Sequence, residues 1–218
     1  MPSANAENPQ IPLAKPVDQI PAGTVRTLRR KARECRACPL WRHGSQTVFG
    51  VGPEDAPVML VGEQPGLQED LQGLPFVGPS GGLLDRALEE AGLPRSALYV
   101  TNTVKHFKYE LRGEAKLHKR ANAAEQAACR MWLAAELLRV HPRVVVGLGA
   151  MAAQTMFGNA FRITRERGQW RELGQATRGI ASWHPSAVLR MPEKRRREQA
   201  YGELVRDLRA VAGFVEAT

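Results

Sequence analysis

Cysteine is scarce: three in 218 residues, an odd number that leaves no complete disulfide framework. Long apolar runs are missing too. No stretch approaches the roughly 18 uninterrupted apolar residues of a membrane span, so no membrane partner is expected. The opening segment, MPSANAENPQIPLAKP, lacks a basic start followed by an apolar core and does not read as a secretory signal. Its Pro, Asn and Ala content reads as a flexible arm over residues 1–22, ahead of one domain over 23–218. Acidic residues are in deficit: 22 against 31 Lys and Arg, a formal charge of +9. That excess favours a polyanionic partner, because cations near phosphates release condensed counterions. The densest run, Lys194-Arg195-Arg196-Arg197, serves equally as a solvated helix face or an anion contact.

What is present is an alternation of short β-branched runs and helical patterns. Pro57–Val61, Ala97–Thr101, Val144–Leu148 and Gly179–Trp183 are brief and nearly unbroken, as in strands buried on both faces of a parallel sheet. Helices are predicted over Thr24–Glu34, Gly81–Ala91, Ala123–Val140, Ala150–Phe157 and Lys194–Val215. The order implies a single three-layer α/β/α sandwich around a four-stranded parallel sheet. Ligands of such sheets collect beyond the carboxyl ends of the strands.

After the first strand comes Gly62-Glu63-Gln64-Pro65-Gly66, then Phe76-Val77-Gly78-Pro79-Ser80-Gly81. So many glycines and prolines shape a loop that a ligand can approach closely. The spacing fits neither G-x-x-x-x-G-K-[ST] nor G-x-G-x-x-G, which argues against nucleoside triphosphates and dinucleotides. Glu63 reads as a site carboxylate or as a solvated helix cap. Asn102, ending the second strand, has an amide that can both donate to and accept from a base edge; the alternative is an ordinary strand terminator. His184 precedes Pro185-Ser186, so its backbone is extended and its projection from the fourth strand is fixed.

Together these motifs resemble the uracil-DNA glycosylase superfamily, specifically its iron–sulfur, family-4-like branch, over roughly Cys35 to Ala200. The resemblance implies a glycosylase acting on uracil-containing DNA, with single strands preferred; a cytoplasmic, nucleoid-associated location and a monomeric state are the default expectations. Gly62, Gln64, Phe76 and Asn102 would bind uracil, with Phe76 stacking on the base and Asn102 reading its polar edge. His184 would stabilise charge developing on uracil O2, and Ser186 would contact DNA. The base must leave the duplex stack to be reached.

Cys35-x-x-Cys38 is a metal half-site by spacing. The glycosylases resembled place a further cysteine in a V-K-C context, where this chain has Val104-Lys105-His106. The implied set is a 4Fe-4S cluster on Cys35, Cys38, His106 and Cys129. Zinc in the same place, or free cysteines, remain open.

The segment from Lys105 to Asn122 reads as a long basic loop with interleaved aromatics, suited to a single strand. Within it, Lys116-Leu117-His118 resembles the K-R-R-I-H loop of the UdgX branch, which also has Gln in GEQPG and His after V-K. That resemblance makes His118 a nucleophile on the sugar C1′, polarised by Glu63, with Lys116 and Lys119 on DNA. Lys116 stands where the branch has Arg, and Glu114 and Ala115 replace two basic residues. The alternatives are turnover with Glu63-activated water, and a non-catalytic iron–sulfur protein that binds single-stranded DNA. His43 and His141 read as structural or solvated.

Overall fold

Strand β1 (Val58–Gly62) shows how the layers arise. Met59 and Val61 join one buried cluster, Val58 and Leu60 the other. A two-residue side-chain period can do this only if both faces of the sheet are covered. The computed structural model describes residues 19–174 and 176–217. Residues 1–18 of the expected N-terminal arm lie outside them.

On one face pack α1 (Val25–Arg33), α4 (Ala123–Val140) and α5 (Ala150–Phe157), through Leu28, Trp132, Leu133 and Met151. On the other lie α3 (Pro79–Ala91) and α8 (Lys194–Glu216), through Leu84, Leu88, Leu204 and Leu208. Local signals set the helix ends. Thr24 Oγ1 accepts from the Thr27 N–H, and Asn122 and Glu125 form a reciprocal capping box on α4. No helix of the described residues is long and apolar enough to cross a membrane.

The sheet order is β2 (Leu98–Asn102), β1, β5 (Val144–Leu148), β7 (Arg178–Ser182), β6 (Arg171–Glu172). The first four are parallel, as expected; the sheet has five strands, not four. Strand β6 is a two-residue antiparallel edge, too short to leave a sequence pattern. A second correction concerns Lys105–Asn122. It is a β-hairpin rather than an irregular loop: β3 (Tyr109–Arg112) pairs antiparallel with β4 (Ala115–His118). Gly113 turns it with φ +61°, a conformation that costs glycine nothing. Short helices α2 (Leu67–Gln72), α6 (Ile163–Glu166) and α7 (Pro185–Leu189) fill the connections.

Candidate active site

The carboxyl ends of β1, β2 and β7 open onto one cavity of about 590 Å³, together with the end of the hairpin. Its walls include Glu63, Gln64, Phe76, Asn102, His118, His184 and Ser186. Residues spread over 120 positions of sequence therefore meet in one place, as the strand-end rule requires.

Gly62 and Asn102 are paired across β1 and β2. A Cβ on Gly62 would stand 2.3 Å from Asn102 Oδ1 and 2.5 Å from Phe76 Cζ, so only glycine lets amide and ring share this corner. Asn102 is buried, yet its side-chain amide hydrogen-bonds to no group among the described residues. Its polar atoms are open to the cavity, where a ligand can complete them.

Phe76 adopts φ +54°, a left-handed conformation that is strained for an aromatic residue. Arg95 holds it there, donating to the carbonyls of Pro75 at 2.9 Å and Phe76 at 3.2 Å while pairing with Asp85. Glu69 braces the same loop by accepting from the N–H groups of Gly66, Val77 and Gly78. The Phe76 ring faces that of His184 at 5.7 Å.

His184 Nδ1 lies 3.1 Å from the Ser186 N–H, which can only donate. The ring is therefore neutral with its proton on Nε2. Burial, then the charge of Arg190, lowers its pKa to about 4. The cavity thus presents a neutral N–H donor beside an aromatic face, and an amide with no protein partner among the described residues.

Comparison with known proteins agrees with this constellation. Residues 49–209 match the uracil DNA glycosylase superfamily. The chain belongs to that superfamily. It is 37% identical to the Type-4 uracil-DNA glycosylase of Archaeoglobus fulgidus over 174 residues, 76% of this chain and 83% of the relative. The Type-4 enzyme of Thermotoga maritima is 35% identical over 73% of this chain and 80% of its own length. That of Pyrobaculum aerophilum is 31% identical over 84% and 91%.

In this superfamily member His118 ends β4 and lines the cavity, with its ring 6.0 Å from that of Phe107. Burial, followed by Arg190, lowers its pKa, so the imidazole is neutral at pH 7. The expected contact with Glu63 is not made. Glu63 leans instead on Arg120, Oε1 to Nε 3.7 Å, and burial outweighs Arg120 and Arg190 in raising its pKa. Gln64 lines the cavity, but its amide is committed to backbone: Nε2 donates to the Lys119 carbonyl at 2.8 Å and Oε1 accepts from the Ala121 N–H at 2.7 Å. It therefore clamps the exit of the hairpin rather than offering its amide to a ligand. Lys116 and Lys119 lie outside the cavity lining. Lys116 Nζ sits 4.6 Å over the Tyr109 ring, and Lys119 pairs with Glu110.

Cys35 and Cys38, at the exit of α1, pack against the hydrophobic cluster that contains Cys129 of α4. Burial raises the pKa of the Cys38 thiol. Burial drives Cys129 up to about 12, and the Lys105 N–H donates to its sulfur at 3.2 Å. His106 Nε2 is 3.0 Å from Thr47 Oγ1, whose hydroxyl is spent on the Ala32 carbonyl. Nε2 is thus the donor, and the Nδ1 lone pair is left over. Three thiols and one neutral imidazole fit an iron–sulfur donor set in kind. Among the described residues, no three His, Cys, Asp or Glu side chains group as the cage of one metal ion.

Sequence reasoning missed Arg190, Glu69 and Arg95, and counted Arg120 only among the basic residues of the loop, not as the partner of Glu63. Arg190 follows His184 by six residues, one helical turn past the motif; its place beside the histidines needs α7 to be known. Arg95 and Glu69 act through backbone groups and carry no motif.

Proposed function

We propose that this chain excises uracil from DNA and that His118 then captures the abasic sugar. The carrying observation is the amide of Asn102, open to the cavity without a protein partner among the described residues, beside Phe76 and sharing that cavity with His184. Uracil presents an N3–H donor flanked by carbonyl acceptors, the complement of one amide acceptor and one amide donor. Phe76 supplies the stacking face. The superfamily, and the activity that names the Type-4 relatives, support the same substrate.

In the reaction the C1′–N1 bond breaks and its electron pair leaves with uracil, as negative charge shared between N1 and O2. His184 donates its Nε2–H to O2; a neutral donor already aimed there costs no reorganisation. The sugar left behind is an oxocarbenium ion, and the Glu63 carboxylate offsets its charge. A lone pair of the neutral His118 imidazole forms the new bond to C1′. The ring then sheds its remaining proton to water or to the departing uracilate. Gln64 holds the hairpin exit so that His118 stays over the cavity.

One observation favours a second reading. Because Glu63 does not engage His118, its carboxylate is free to orient a water at C1′ and let the protein turn over. In either reading Cys35, Cys38, His106 and Cys129 would hold a 4Fe-4S cluster. When bound it would supply a cross-link between the exit of α1, the turn after β2, and α4.

Uracil release from a single-stranded oligonucleotide, wild type against Asn102→Leu, tests the base assignment. Release that falls about 5- to 150-fold, as about 1–3 kcal/mol for a bidentate base contact implies, supports it. Equal release by both proteins contradicts it.

A further inference from the structure

The cavity-facing side of the hairpin does not end at His118. Antiparallel register places Tyr109 opposite His118 and Leu111 opposite Lys116, so these four share one face. Phe107 stacks on Tyr109 at 5.2 Å, and His43 meets the edge of Tyr109 at 6.1 Å. Two residues before His43 stands Trp41, with the guanidinium carbons of Arg36 and Arg42 at 4.3 and 5.2 Å from its ring centre. Arg36 reaches back to the carbonyls of Arg33 and Cys35. Ring contacts thus run from the cavity mouth over the base of the hairpin to His43, and the chain continues two residues back to Trp41 and the segment that carries Cys35 and Cys38.

The charge on this segment is unbalanced. Helix α1 has no acidic residue in its first turn and three basic residues in its last. Among the described residues, Arg33, Arg36 and Arg42 form no ion pair, although Lys108, Lys119, Arg120 and Arg139 elsewhere each have a carboxylate partner. Two guanidiniums gathered on one indole without a counter-charge repel each other, and an anion relieves that repulsion.

We propose that this strip carries the single-stranded DNA flanking the extruded uracil, with Arg33, Arg36 and Arg42 on its phosphates. The cysteine-bearing segment would then be a DNA platform as well as a metal site. The proposal rests on the chain acting on uracil in DNA, and it adds the path by which the strand leaves the cavity. Arg36 and Arg42 keep their faces on Trp41 and turn their edges to phosphate. His43 lies under an intervening base, and Tyr109, stacked by Phe107 and covered by Lys116, backs it from the side.

The test measures binding rather than turnover, so it stands apart from the glycosylase reading. A uracil-free single strand of about 12 nucleotides, within the span such sites cover, is titrated at several salt concentrations. The wild type is compared with the triple variants Arg33→Gln/Arg36→Gln/Arg42→Gln and Arg33→Lys/Arg36→Lys/Arg42→Lys. For single strands each phosphate contact contributes about 0.7 to the slope of log affinity against log salt, so the Gln variant should lose about 2. The Lys variant, which keeps the point charges, should retain the slope. A Gln variant with the wild-type slope, or a Lys variant that loses as much as Gln, overturns the platform. Uracil release by wild type from the same strand with one uracil is scored separately. Its absence contradicts the glycosylase reading and leaves the binding result intact.

Discussion

The Ser186 backbone N–H points at His184 Nδ1 across 3.1 Å, and that contact places the ring proton on Nε2, facing the cavity. An imidazolium would need both nitrogens protonated and would collide with the Ser186 donor. Burial acts in the same direction. His184 is a neutral hydrogen-bond donor above about pH 4.

The pH dependence follows. With its pKa near 4, the His184 ring stays neutral well below the ordinary histidine value of about 6.5, and burial shifts His118 in the same direction. Uracil release should be level from pH 8 to about 5 and decline toward 4. A charged His184 would instead make activity rise as pH falls through about 6.5. For stability the unfolded chain binds protons that the folded chain refuses. Stability therefore increases with pH between about 4 and 6.5, and is lost as pH falls through that window. Denaturant melts at pH 5 and pH 7.5 should differ by roughly 2 kcal/mol for His184, more if His118 adds to it.

Gly62→Ala should abolish excision while leaving a folded protein. The added methyl meets Asn102 Oδ1 and Phe76 Cζ inside contact distance, and both belong to the base pocket. Overpacking of this kind costs about 1–3 kcal/mol of stability, within what a domain tolerates. Thermal melting together with uracil release checks it, and retained release would mean that the corner does not receive the base.

Gln64→Leu separates excision from capture. It removes the two hydrogen bonds to Lys119 and Ala121 that hold the hairpin exit, each worth about 1 kcal/mol, and touches neither Asn102 nor His184. Covalent product should fall several-fold relative to free uracil released. An unchanged ratio would show that the clamp does not control His118.

Lys105 and Glu136 form a wholly buried ion pair at 2.6 Å, each side chain 0% exposed. Lys105 Nζ also donates to the Asn102 carbonyl, and Glu136 accepts from Gly50 N–H, Tyr99 and Thr101. Lys105→Met strands a buried carboxylate and should destabilise the fold by about 3–5 kcal/mol in denaturant melts. The double replacement Lys105→Met/Glu136→Leu should not restore full stability, because three other donors lose their acceptor. Full recovery would contradict that accounting.

The parallel strands and the residues at their ends were legible because each carries a local physical signature. Val144-Val145-Val146 can be little else than a buried strand, and a His-Pro pair at a strand end points one way. Helix ends were legible through Thr24 and Asn122. The hairpin was not, because Tyr-Glu-Leu-Arg and Ala-Lys-Leu-His are short, polar and largely exposed, and no core face imposes a period. Contacts that turn a list of residues into a mechanism were also out of reach. The Gln64 amide on Lys119 and Ala121, the Glu63 lean on Arg120 and the strained backbone of Phe76 all depend on where the chain returns in space. From sequence Gln64 read as a uracil contact and Glu63 as the partner of His118; packing gave both other neighbours.

Covalent capture is the central claim, and denaturing electrophoresis tests it most directly. Wild type, His118→Ala and Glu63→Gln are each incubated with a labelled single strand containing one uracil, then boiled and denatured. Capture predicts a slower band with wild type that survives boiling and is lost in His118→Ala. Free abasic strand from wild type with no shifted band, and its loss in Glu63→Gln alone, would contradict capture and leave water as the nucleophile.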